Sequence, residues 1–115
     1  MSRRTPERKP AKRPAHALLF AALGDETRLA LLARLSSGEP HSIAQLTAGS
    51  RVTRQAITKH LHVLQKAGMV HSARTGRESL FRFDPEPLRE MHQYLDYVSR
   101  QWDHALARLR AFVEE

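Results

Sequence analysis

Cysteine is missing from all 115 residues. That removes disulfide frameworks, thiolate zinc ribbons and thiol redox switches, and with them soft-thiolate metal sensing. Long apolar runs are missing as well. The longest, Ala17 to Leu23, falls far short of the roughly twenty residues that span a bilayer, so no membrane partner is expected. Ser2-Arg3-Arg4 ahead of that run has a faint look of a twin-arginine export signal. The run is short and charged Asp25-Glu26 follows it, so a cytoplasmic protein is expected. There is no phosphate-cradling glycine loop and no recognisable serine–histidine–acid motif. Together with the missing cysteine nucleophile, this argues against an enzyme. Acidic residues are scarce too: 12 stand against 19 Lys and Arg, for a net charge of +7.

The placement of that charge says more than its sum. Residues 1–14 carry a net +5 and residues 51–83 a net +6, whereas residues 15–50 carry −1 and residues 84–115 carry −3. Positive charge concentrated in the tail and in one internal block, with the rest near neutral or acidic, is the footprint expected for nucleic acid.

The centre of the block is Thr53 to Ala67. Ala56, Ile57, Leu61 and Leu64 recur with helical period and predict a core-facing stripe. Thr53 is placed to cap the helix, Val52 and Ile57 have hydrophobic-staple spacing, and Gly68 stands where a left-handed residue stops a helix. Arg54, Gln55, Thr58, Lys59 and His62 fall on the other side, with no acid among them. A guanidinium, an amide, a hydroxyl and an ammonium are groups that read base edges and clamp phosphates.

The surrounding chain supplies a frame for that helix. Residues 1–14 hold Pro6, Pro10 and Pro14 among their charges, the composition of a disordered basic tail. The remaining residues, 15–115, are expected to form one domain. Ala15 to Leu23 predicts a short helix. Asp25 caps a second through about Leu35, with Leu29, Leu32 and Leu35 inward. Ser42 and Gln45 form a capping box that opens a short third helix. A glycine-containing turn then leads into the Thr53 helix, which makes a helix-turn-helix.

After Gly68 the period becomes alternating. Met69–Arg74 and Ser79–Phe83 predict a hairpin with Thr75-Gly76 at its tip. Arg74 and Arg77 on such a wing reach phosphate or minor groove beside a major-groove helix. From residue 85 to 114 a last helix carries Leu88, Met91, Leu95, Val98, Trp102, Ala105, Leu109 and Phe112 at alternating spacings of three and four. This is a heptad seam running roughly 42 Å, longer than a small domain needs. It predicts a two-fold homodimer, with Leu19, Leu95, Val98, Trp102, Leu109 and Phe112 at the interface.

These residues resemble a known family. Gly24-Asp25-Glu26-Thr27-Arg28-Leu29 is similar to the D-x-T-R-L opening of the second helix in ArsR-type winged-helix repressors. Thr58-Lys59-His60-Leu61, then Leu64 and Ala67-Gly68-Met69-Val70, resembles their S-x-H-L-x-x-L-x-x-A-G-L-V signature. Arg74-Thr75-Gly76-Arg77 through Phe81-Arg82-Phe83 resembles their wing. The resemblance covers about residues 15–113. It implies a mainly α fold with a small β-hairpin, ordered α-α-α-α-β-β-α, and a dimeric repressor on an imperfect palindrome. By position it assigns DNA contact to Arg54, Gln55, Thr58 and Lys59, and makes His60 the signature histidine, which packs or binds backbone.

The departures from the family matter as much. The cysteine box of its metal sensors is absent. Another class binds zinc on the last helix, where this chain offers Glu90, His92, Asp103 and Leu106; Leu106 cannot ligate. His92 and Asp103 lie about 16 Å apart along one helix, so only an antiparallel partner helix could bring them to a shared metal. No metal or cofactor is expected. A zinc-responsive regulator using His92 and Asp103 between subunits is the first alternative. The second is an architectural or protein-interaction module with little sequence preference. The sequence names no inducer, metal or small molecule.

Overall fold

Helix α1 spans Lys12–Leu23 and α2 spans Glu26–Leu35. A two-residue strand, β1 (His41–Ser42), leads into α3 (Ile43–Thr47), and α4 runs over Arg54–Lys66. Strands β2 (Val70–Thr75) and β3 (Glu78–Phe83) form a hairpin, and α5 (Glu86–Glu114) closes the chain. This computed structural model describes residues 12–114. The first eleven residues of the expected basic tail lie outside the described residues. The first helix starts three residues earlier than expected. Pro14 thereby falls in its first turn, where a missing N–H costs nothing.

The caps explain where the helices begin and end. Asp25 accepts the Arg28 amide on Oδ2 at 3.0 Å. Ser42 and Gln45 complete a reciprocal box, at 2.8 Å from the Ser42 amide to Gln45 Oε1 and 3.1 Å from the Gln45 amide to Ser42 Oγ. Thr53 Oγ1 accepts the Ala56 amide at 3.1 Å. At the far end of α4, the Gly68 amide bonds to the Gln65 carbonyl and the Met69 amide to the Leu64 carbonyl, at 2.9 and 3.0 Å. This is a Schellman closure with Gly68 at φ +79°. A Cβ at Gly68 meets only Pro87 Cγ at 3.8 Å, so space is not the obstacle there. The left-handed backbone is, at about 1–2 kcal/mol for an L-residue. Gly68→Ala is therefore expected to lower unfolding free energy by about that amount. Urea denaturation monitored by circular dichroism checks it, and an unchanged midpoint counts against the closure.

The core is continuous from α1 to α5. Leu19, Leu35, Leu46, Leu61, Phe81 and Met91 each bury all but 4% or less of their surface. Two expectations are corrected here. Leu29 is 49% exposed, and Leu31 at 3% takes its place. The inward arc of α2 is 28-31-32-35, and position 29 is rotated about 100° away from 28. Leu19, expected at a dimer face, is 3% exposed and belongs to its own chain's core, while Leu18 and Phe20 stay open on α1.

The sheet has order β1-β3-β2, all antiparallel. β1 is an addition to the expected order, because two residues carry no readable period. His41 pairs with Phe81 and Ser42 with Leu80. The hairpin register sets Thr75 opposite Glu78, so the tip is Gly76-Arg77, one residue later than expected. Gly76 has φ +65°, and no non-glycine residue has positive φ among the described residues. A positive φ at the first tip residue alone is the pattern of a type II′ turn, whose twist suits a hairpin.

Asp84 joins sheet to last helix. Its amide bonds to the Met69 carbonyl at 2.8 Å, Oδ1 accepts the Glu86 amide at 3.0 Å, and Oδ2 meets His71 Nε2 at 2.8 Å. The bond from the Glu86 amide, followed by that from His71, holds the Asp84 carboxyl below its ordinary value of 3.8. Asp25 is lowered first by the Arg28 amide, then by the charges of His60 and Arg28. A carboxylate with a depressed folded pKa stabilises the fold above its unfolded value, and that stability is lost as pH falls through the folded value. Acid should therefore weaken the protein from about pH 4 downward. In Asp84→Asn part of the loss is already present at pH 7, and the acid decline is shallower. Thermal melts from pH 7 to pH 3 test this; parallel declines for both proteins contradict it.

Candidate nucleic-acid interface

The helix-turn-helix pair, α3 and α4, packs through Leu46, Ile57 and Leu61, all at 1% exposure or less. That packing turns the remaining arc of α4 outward. Arg54, Gln55, Lys59 and His62 are exposed. Among the described residues none of these four side chains makes a hydrogen bond or ion pair with the protein. Thr58 differs. It is half-buried, and its hydroxyl donates to the Arg54 carbonyl at 2.9 Å, so toward a ligand it can only accept. His60, one turn from Ala56, is half-buried and points back into the protein, with Nδ1 3.1 Å from Arg28 Nη1.

The wing stands beside this ridge. Arg74 and Arg77 are exposed and unpaired among the described residues. Strand alternation puts Arg74 on the same face as Ser72, whose hydroxyl accepts a hydrogen bond from Gln65 Nε2 of α4 at 3.0 Å. Arg82 pairs with His71 across the hairpin and takes the opposite face. At the tip, Arg77 lines one cleft together with Arg54 and the first residues of α3. Recognition helix and wing tip thus converge on a single surface, basic apart from the Glu78 carboxylate in that cleft. Arg51, exposed in the turn just before α4, adds to it. Sequence reasoning counted its charge without assigning it a place.

The apolar seam of α5 divides in two. Met91 is buried and Leu88 half-buried against the domain core. Beyond them Leu95 is 50%, Trp102 64%, Leu109 57% and Phe112 75% exposed, and Val98 is half-buried. Tyr94, also exposed, stacks on His16 of α1 with centroids 4.6 Å apart, so α1 and α5 form one open face. Tyr94 thus widens the apolar stripe of α5 on the side toward α1. His92 and Asp103 are both exposed on α5, and no three potential metal ligands converge among the described residues. None of the described helices is long and apolar enough to cross a membrane.

A basic recognition helix and an adjoining arginine-tipped wing define a winged helix-turn-helix DNA-binding protein. Residues 23–73 match a family described as a helix-turn-helix domain. The chain is 40% identical over 79 residues to the uncharacterised HTH-type transcriptional regulator YuzN of Bacillus subtilis, covering 64% of this chain and 86% of that one. It superposes on an ArsR-like transcriptional regulator from Rhodococcus sp. RHA1 with a TM-score of 0.78 at 36% identity, covering 89% and 95% of the two chains. A solution structure of a homodimeric winged helix-turn-helix domain from Mycobacterium bovis shares the fold, with a TM-score of 0.65 at 20% identity over 90% of this chain and 95% of that one. The chain belongs to the ArsR-type helix-turn-helix transcriptional regulators and is a DNA-binding regulator of transcription.

Proposed function

We propose that two copies of this chain clasp through α1 and α5 and repress transcription by occupying an imperfect palindromic operator. The observation that carries the reading is the unpartnered outward set Arg54, Gln55, Lys59 and His62 on α4. Among the described residues these side chains have no protein partner to give up, so no such native contact is broken when they turn to DNA. Arg54 and Gln55 read base edges, Thr58 accepts from a base or sugar, and Lys59 holds phosphate. Arg74 and Arg77 add phosphate or minor-groove contacts. The open stripe from Leu95 to Phe112, with Leu18 and Phe20 on α1, supports the dimer, because a monomer rarely leaves so much apolar surface in one patch. A two-fold axis through that face sets two recognition helices about 34 Å apart, one turn of duplex. The regulator acts in the cytoplasm, and no catalytic role is assigned to any of its residues.

Selection of bound duplexes from a random pool tests the reading as a whole. The expected product is an inverted repeat with half-site centres about one helical turn apart. A pool that stays random after several rounds supports the architectural alternative instead.

A further inference from the structure

One side chain links three elements that sequence order keeps apart. Arg28, in the first turn of α2, donates from Nε to the Ala22 carbonyl at 2.6 Å and from Nη2 to the Ala21 carbonyl at 3.4 Å. These are carbonyls of the last turn of α1; the Ala21 carbonyl also accepts the Gly24 amide at 3.1 Å, so the short bond to Ala22 is the main one. A guanidinium there complements the negative end of the helix dipole. The remaining arm, Nη1, lies 3.1 Å from Nδ1 of His60 in the middle of α4. A guanidinium carries donors only, so His60 Nδ1 is the acceptor. Asp25 completes the group: its Oδ2 accepts the Arg28 amide at 3.0 Å and stands 3.8 Å from His60 Nδ1. Direct packing of α1 on α4 is slight, so this bridge is the principal polar link between them among the described residues.

We propose that Arg28 is a positioning residue for DNA recognition: through His60 it fixes the angle of α4 against the end of α1, and thereby the spacing and tilt of the two recognition helices in the dimer. The inference rests on the DNA-binding reading above and on α1 sharing the dimer face with α5. His60 itself points inward next to Lys59, which faces out. A rotation of α4 about its axis therefore moves Lys59, Gln55 and Arg54 together relative to the partner copy. Arg28 makes no phosphate contact in this scheme. Its loss changes where the cations sit and leaves their number intact.

The test uses the full chain with Arg28→Gln, His60→Leu and His60→Gln. Each variant is first checked for wild-type circular dichroism and dimer mass. Fluorescence anisotropy is then run over a salt series on the selected palindrome, on palindromes with half-sites moved one or two base pairs, and on a scrambled duplex. Arg28→Gln and His60→Leu should lose about tenfold on the selected palindrome and about twofold or less on the scrambled duplex, since misplaced contacts cost specific binding most. Their preference among half-site spacings should flatten, and the salt slope should be unchanged. His60→Gln, whose amide oxygen still accepts from Arg28, should stay near wild type. The double variant Arg28→Gln/His60→Leu should lose no more than either single, as one shared link predicts.

A folded Arg28→Gln dimer with wild-type affinity and spacing preference overturns the proposal. So does a salt slope lowered by about one per chain, which marks a direct phosphate contact instead. If Arg28→Gln does not fold, the pair His60→Leu and His60→Gln decides: equal behaviour of the two refutes the link. A wild-type chain that binds every duplex alike sinks the operator reading, and is separate from any result on Arg28.

Discussion

Trp102→Glu should leave a folded chain that sediments as a monomer and binds the palindrome about a hundredfold or more weaker than wild type, the size of effect expected when two linked binding events become two independent ones. Trp102 is 64% exposed in the single chain, so its replacement removes little from the chain's own core and the melting behaviour of the monomer should survive. In an interface the same position is the middle of a seam that runs from Leu95 to Phe112. A carboxylate placed there is desolvated without a partner, at several kcal/mol, and the two-fold axis duplicates it. Analytical ultracentrifugation and anisotropy on intact and single half-site duplexes give the readout. A Trp102→Glu chain that remains dimeric and binds normally moves the dimer face away from α5.

Lys59→Ala and Gln55→Ala should fail in different ways. Lys59 is exposed and, among the described residues, has no carboxylate partner. Its removal should weaken binding to every duplex and reduce the salt slope by about one for each copy on the DNA. Gln55 is neutral, so its loss leaves the slope alone. It should cost about 1–3 kcal/mol of discrimination at one base pair per half-site, the worth of a bidentate amide contact. Anisotropy on operator and scrambled duplexes from low to moderate salt separates the two. Equal losses on both duplexes for both variants would show that the assigned roles are wrong.

The parts of this protein that follow from neighbours in sequence were legible in the chain. Asp25, Ser42 and Thr53 cap the helices they were expected to cap, because a cap is a matter of three residues. Gly68 and the hairpin register follow from local backbone preference, with the tip displaced by one residue. The outward set on α4 follows from helical period alone. What escaped was set by distant partners. β1 exists only because His41 and Ser42 find Phe81 and Leu80, some forty residues on. Leu29 lost its expected place because a leucine period of three drifts around a helix of 3.6 residues per turn. Leu19 went to the core because α1 packs inward on the face that includes Ala22, and no local signal separates the two sides of so apolar a helix. Arg28 and His60 both stood in the signature stretches, but nothing in either stretch says that they touch across 32 residues.

Ser42 belongs at once to the edge of the sheet, opposite Leu80, and to the opening turn of α3. Only 5% of it reaches solvent. Through this one residue the hairpin and the helix-turn-helix are welded, and neither can rock without breaking a ladder or a cap. Most of the entropy lost in ordering the wing is thus lost during folding. Docking then needs to freeze little more than the long side chains at the surface, so less of the contact energy is spent on ordering the protein.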